Sequence, residues 1–173
     1  MMAQRRFWIA VACGAMVLTL ATGLRATFGL FLKPINLDLG ISRELFGLGI
    51  ALQNLLWGAA SPFAGAIADK FGAGRVIGAG ALCYMTGLAV MGMAGGGAQI
   101  VLGNILVGLA LSGAGFSVVL GAIGRAAPAD KRSAALGIIT AGGSFGQFAM
   151  VPYAHVLLES FGWSAALFGL AAT

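Results

Sequence analysis

Read from its N-terminus, the chain is a series of long apolar runs separated by short clusters of charge, proline and glycine. The first run extends from about Phe7 to Leu32 and is followed by Pro34 and a polar stretch through Glu44. The second runs from about Leu45 to Ala68 and ends at the link Asp69–Gly74. A third covers Arg75 to Ala94, Gly95-Gly96-Gly97 makes a tight turn, and a fourth covers Ala98 to Gly124. The link Arg125–Arg132, which contains Pro128, precedes a fifth run from Ser133 to Glu159, and a sixth starts at Trp163. Runs of this kind match the roughly 20 residues a helix needs to cross the hydrocarbon core. They lack the apolar/polar alternation of a membrane β-barrel strand. The expected fold class is an all-α membrane protein, a bundle of six helices. Trp163 to Thr173 reaches only about 16 Å at the helical rise, against a core of about 30 Å. The sixth helix therefore reads as incomplete and the chain as a fragment.

Composition sharpens this picture. The chain is 60% hydrophobic and 9% charged, whereas a soluble domain carries about 25% charged residues. Its 29 glycines lie within the apolar runs, where they let helix backbones approach closely. Gly113, Ser117 and Gly121, and likewise Gly142 and Gly146, form stripes at a spacing of four and read as packing faces. The net charge of +5 comes from basic residues at the ends of the runs, so it speaks for lipid headgroups and topology rather than nucleic acid. With the N-terminus in the cytoplasm, the inner segments hold Arg5, Arg6, Lys70, Arg75, Arg125, Lys131 and Arg132, and the outer ones only Lys33 and Arg43. That bias predicts a multi-pass protein of a bacterial inner (plasma) membrane with a cytoplasmic N-terminus. The first run is too long for a signal-peptide core and lacks a cleavage site, so it is expected to be retained. Cys13 and Cys83 fall inside spans, which argues against a disulfide. With a single distant histidine they make no metal site, and no cofactor is expected.

The sequence also repeats. Shifted by 90 residues, Pro62-Phe63-Ala64 meets Pro152-Tyr153-Ala154, Asp69 meets Glu159 and Phe71-Gly72 meets Phe161-Gly162. Gly47, Ala51 and Ala59 meet Gly137, Ala141 and Ala149, and Gly23 and Leu30 meet Gly113 and Leu120. An offset of three helices reverses direction in the membrane, so residues 1–94 and 95–173 are expected to be two inverted three-helix repeats.

Inverted repeats of three helices build the six-helix halves of major facilitator transporters. The stretch Gly65-Ala-Ile-Ala-Asp69-Lys70-Phe71-Gly72-Ala-Gly-Arg75 resembles the signature between helices 2 and 3 of that superfamily, though it keeps only one of the later basic residues. Within the superfamily, Gly23-Leu-Arg25-Ala-Thr-Phe28-Gly29-Leu-Phe31, Arg132-Ser-Ala-Ala-Leu-Gly137 and Phe161-Gly162-Trp163 resemble the monocarboxylate-transporter and oxalate–formate-antiporter branch. The resemblance implies an N-terminal half that rocks against a C-terminal six-helix half around a midplane site. It also implies that Gly65, Asp69, Lys70, Gly72 and Arg75 form a conformational latch, with Asp69 contacting the other half. In helix 4, Asn104 stands before Gly108 where the superfamily often has an arginine, which puts a proton-transfer role for that position in doubt.

Candidate chemistry is sparse. No nucleophilic set, phosphate loop or metal cluster occurs, so an enzyme is not expected, and His155 reads as an interfacial residue. Arg25 is the one charge embedded within a run. Charges there are costly and usually face a cavity or a partner. Three readings compete: it binds an anionic substrate, pairs with an acid elsewhere in the protein, or snorkels to the outer surface. Gln53, Asn54, Asn104 and Gln147 are the remaining polar candidates for a cavity, and each suits a helix–helix hydrogen bond equally well. The expected function is secondary transport of small organic anions such as mono- or dicarboxylates. The alternatives are a non-transporting receptor or sensor of the same fold, or a transporter of a non-anionic solute.

The topology is directly testable. In a background lacking Cys13 and Cys83, a cysteine at Gly96 should react with an impermeant reagent added outside, and one at Asp130 should not. Labelling of both from the same side would contradict the helix map.

Overall fold

The computed structural model describes the backbone of residues 2–173 and the side chains of residues 5–173, and the described residues form helices and short links. Seven helical segments follow in order: α1 (Met2–Ala26), α2 (Phe28–Leu39), α3 (Arg43–Phe71), α4 (Ala73–Gly92), α5 (Gly97–Ala114), α6 (Phe116–Ala126) and α7 (Arg132–Ala171). Among the described residues, four stretches are long and apolar enough to cross a membrane: Arg5–Leu39, Ala73–Gly92, Gly97–Ala126 and Arg132–Ala171. The 29-residue α3 is long enough but carries Gln53 and Asn54 near its centre.

Seven segments rather than six arise because glycine and threonine divide the runs differently from expectation. The first run does not end at Leu32. It breaks at Thr27, where 3₁₀-type bonds join Thr27 N to Leu24 O (3.1 Å) and Leu30 N to Thr27 O (2.9 Å). It then continues through Pro34 to Leu39. The helix survives the proline because Phe28, Phe31 and Ile35 form one buried stripe, and it stops only at Gly40 in the left-handed conformation, φ 62°. The fourth run is interrupted at Gly115, whose backbone is extended (φ −93°, ψ −170°). A Cβ there would strike the Leu111 carbonyl and lie 3.2 Å from Trp57 Nε1. The fifth and sixth runs are separated by one non-helical residue, Gly162 (φ 78°, ψ 171°), inside α7.

Helix packing rests on missing side chains. Between α1 and α7, Gly146 lies directly under the Thr19 carbonyl, and a Cβ on Gly23 would fall 2.7 Å from Gly146 O. The close approach brings Thr19 Oγ1 to Gly142 O and Thr22 Oγ1 to Gly143 O, both at 2.9 Å. Between α3 and α5, a Cβ on Gly108 would lie 2.5 Å from Gln53 O. Between α4 and α5, one on Gly87 would lie 2.9 Å from Gly103 O, and one on Gly113 would lie 3.1 Å from Val76 O. The stripe at Gly142 and Gly146 therefore packs as the sequence implies. The Gly113–Ser117–Gly121 stripe does not continue, since the break at Gly115 leaves Ser117 exposed. Around these contacts lies one large apolar cluster that includes Phe28, Phe31, Phe46, Leu88, Met91, Leu111 and Leu167.

Gly146→Ala should destabilise the folded protein by about 1–3 kcal/mol, the usual cost of overpacking. Gly137→Ala, where a Cβ meets nothing within 4 Å, should be neutral or slightly stabilising. Thermal unfolding in detergent distinguishes the two, and equal shifts would contradict the α1–α7 contact.

Candidate functional site

The break at Thr27 makes Arg25 the basic residue of the last turn of α1. There it faces the negative end of that helix dipole. Thr27 does not cap the segment that follows: its backbone is helical (φ −79°, ψ −16°) rather than extended as in an N-cap, and its Oγ1 turns back to donate to Leu24 O at 2.7 Å. α2 therefore begins beside Arg25 without a side-chain cap.

Arg25 is partly buried and bends toward α3. Its Nη2 donates to Asn54 Oδ1 at 2.7 Å, and its guanidinium carbon lies 5.0 Å from the centroid of the Trp57 ring, within cation–π range. Asn54 is held for this task, since its Nδ2 donates to Ile50 O at 2.9 Å. That leaves Oδ1 as the acceptor for the arginine. Trp57 and Asn54 lie three residues apart on α3 and so share a face. Trp57 also reaches the break in the fourth run through its Nε1 beside Gly115. The site thus joins two helix interruptions through one aromatic ring. No carboxylate is paired with Arg25 among the described residues; the ion pairs there are Asp69–Arg125 and His155–Glu159.

The other expected site residues do not gather here. Gln53 is 1% exposed and Asn104 0% exposed. Asn104 lies against Gly49, whose Cβ would come within 3.0 Å of Asn104 Nδ2. Its Nδ2 donates to Ile100 O at 2.9 Å, and its Oδ1 and Gln53 Oε1 have no partner in the structure. Both residues belong to the α3–α5 contact, one turn apart. Gln147 is on an exposed face of α7. Clefts of about 230 and 370 Å³ open among the described residues, and none of Arg25, Gln53, Asn54, Asn104 or Gln147 lines either of these two. No group of three or more His, Cys, Asp or Glu close enough to hold a metal ion occurs among the described residues. Sequence reasoning missed Trp57, although its position three residues after Asn54 was a usable signal.

At the other end of α3, Asp69 pairs with Arg125 at the end of α6. The arginine that Asp69 meets thus lies within this chain. Lys70 Nζ sits 5.3 Å from the Phe71 ring centroid. Gly72 ends α3 with φ 92°, a conformation that favours glycine. Gly65 has no neighbour within 4 Å of a built Cβ, so the room at that position is unfilled.

A family model described as Major Facilitator Superfamily matches residues 8–173, and the chain belongs to that superfamily. No individual curated protein matches it. It is accordingly an integral membrane protein of a transporter family rather than an enzyme family.

The Asp69–Arg125 pair is more than half exposed, 56% and 57%, so its worth to stability is about 0–1 kcal/mol. Asp69→Asn and Arg125→Gln should each lower the midpoint of thermal unfolding slightly, and the double variant no further than either alone. Fully additive losses would contradict the pairing.

Proposed function

We propose that the protein is a secondary transporter of small organic anions, mono- or dicarboxylates, related to the monocarboxylate and oxalate–formate branch, with Arg25 as the substrate-binding cation. The observation that carries the reading is a partly buried guanidinium whose side-chain partners are a neutral amide and an aromatic face. Such a charge keeps its attraction for a carboxylate, which a guanidinium holds with two parallel hydrogen bonds. The helix break adds to it. The start of α2 lies beside Arg25, and the N-terminal end of an interrupted helix favours negative charge. The bend toward Asn54 and Trp57 favours this reading over snorkelling.

Access alternates in this reading as two six-helix halves rock about the site, and this chain supplies the N-terminal half as two inverted repeats, residues 1–94 and 95–173. Several features support the repeat. Gly72 and Gly162, which coincide under the 90-residue shift, both have positive φ. Ala64 and Ala154 are both buried, and Phe63 and Tyr153 both exposed. The breaks at Thr27 and Gly115 fall within two residues of one another under the same shift. The α1–α7 and α3–α5 contacts exchange with each other as the first and fourth, and second and fifth, runs exchange. Gly65, Asp69, Lys70, Gly72 and Arg75 act as the latch on the cytoplasmic side, with the Asp69–Arg125 pair holding it within this half.

Arg25→Lys should weaken substrate binding and Arg25→Gln should nearly abolish it, with folding preserved in both. Flux of labelled mono- and dicarboxylates into vesicles containing the full protein, together with substrate titrations, measures this. Unchanged binding in Arg25→Gln would remove the anion reading. Rescue of Arg25→Gln by neutralising an acid elsewhere in the protein would make Arg25 an ion-pair residue. Saturable binding without flux would make the protein a receptor.

A further inference from the structure

We infer that the seam between α3 and α5 binds an ordered water molecule, which donates one hydrogen bond to Gln53 Oε1 and one to Asn104 Oδ1. The site stands apart from Arg25 and does not rest on the anion reading. Both oxygens are buried and have no partner among the described residues, and the residues that carry them are 1% and 0% exposed. An unbonded acceptor in the interior is costly, and buried water is the usual partner of such groups.

The register of the two helices brings the amides to one level. Along the seam a Cβ on Gly97 would meet Leu45, one on Gly49 would meet Asn104, one on Gly108 would meet Gln53 and one on Gly115 would meet Trp57. The numbers rise together, so α3 and α5 run parallel. Side chains lean toward the N-terminus of their helix. Gln53, whose backbone abuts Gly108, therefore reaches back toward the level of Gly49, where the Asn104 amide also lies. Asn104 Nδ2 is engaged by Ile100 O at 2.9 Å, which fixes Oδ1 as the acceptor. Two carbonyl oxygens cannot bond each other and need a donor with two hydrogens between them. The surroundings select a neutral donor. Met91 and Ile100, which touch Asn104, are both 0% exposed, so the pair is shut off from bulk solvent by the chain's own helices. Neither amide is charged, and the ion pairs among the described residues lie elsewhere, at Asp69–Arg125 and His155–Glu159. A bare cation at this depth would lack a counter-charge, whereas water needs none.

Met91 reports on the site, because its Sδ lies 3.9 Å from Asn104 Nδ2. The full protein in nanodiscs is exposed to a millisecond X-ray pulse, which turns water into hydroxyl radicals where it stands, and methionine oxidation is read by mass spectrometry. Met91 should be oxidised although it is fully buried. Gln53→Leu and Asn104→Leu should each reduce that oxidation several-fold, since each removes one of the two oxygens. Their shifts in the midpoint of thermal unfolding should be less than additive, because the second substitution acts on a site the first has already emptied. Absence of Met91 oxidation in the unsubstituted protein would overturn the proposal, even if the variants failed to fold. Oxidation unchanged in both variants, or fully additive shifts, would also overturn it. Oxidation that requires sodium and disappears in choline chloride would put a cation in place of the water. Non-additive shifts without oxidation of Met91 would put a direct bond between the two amides there instead.

Discussion

Lipid tails are as apolar as leucine, so burying oil does little to hold one membrane helix against another. What holds α1 to α7 is close approach. Gly146 lies under the Thr19 carbonyl, and at that separation the Thr19 and Thr22 hydroxyls reach the carbonyls of Gly142 and Gly143. Hydrogen bonds between membrane helices average about 0.6 kcal/mol, so these two alone do not account for the contact. The dispersion gained along the whole seam does, and it is available only because the side chains are absent. The same device recurs at Gly108 against Gln53 and at Gly87 against Gly103.

The placement of Arg25 follows from that packing. Gly23 fixes α1 against α7 at Gly146, and the break at Thr27 comes four residues later. Arg25 lies between these two points, so its side chain is directed toward α3 and meets Asn54 and Trp57. A bare guanidinium at this depth would be expensive. The amide and the ring offset part of that cost without neutralising the charge. Trp57 in turn abuts Gly115, so the position of the arginine is tied to the kink between α5 and α6. A movement of either interrupted helix would alter the surroundings of the same cation.

Much of this was legible in the sequence, for identifiable reasons. Long apolar runs with charge at their ends are imposed by the bilayer, and the glycines at 142 and 146 mark a packing face because spacing four keeps them on one side of a helix. The Pro-aromatic-Ala and Phe-Gly matches mark positions with like surroundings: Ala64 and Ala154 are both buried, and Gly72 and Gly162 both have positive φ. The partner of Arg25 was not legible, since it lies 29 residues away and depends on which face of α3 turns toward α1. The same blindness grouped Gln53 and Asn104 with Asn54. One residue of helical rotation sends Gln53 into the α3–α5 contact and its neighbour to the arginine. The continuation of α2 through Pro34 was hidden as well, because burial of Phe28, Phe31 and Ile35 outweighs the local cost of a proline.

The central claim is that the guanidinium of Arg25, held by Asn54 and Trp57, is the anion site. Trp57 lies close enough to report on it. With every tryptophan of the full protein except Trp57 replaced by phenylalanine, including Trp8 and Trp163, Trp57 emission should change saturably as a carboxylate is added. It should not change with the corresponding neutral amide, and the response should vanish in Arg25→Gln. An emission unaffected by carboxylates, or equally affected by the neutral analogue, would contradict the account.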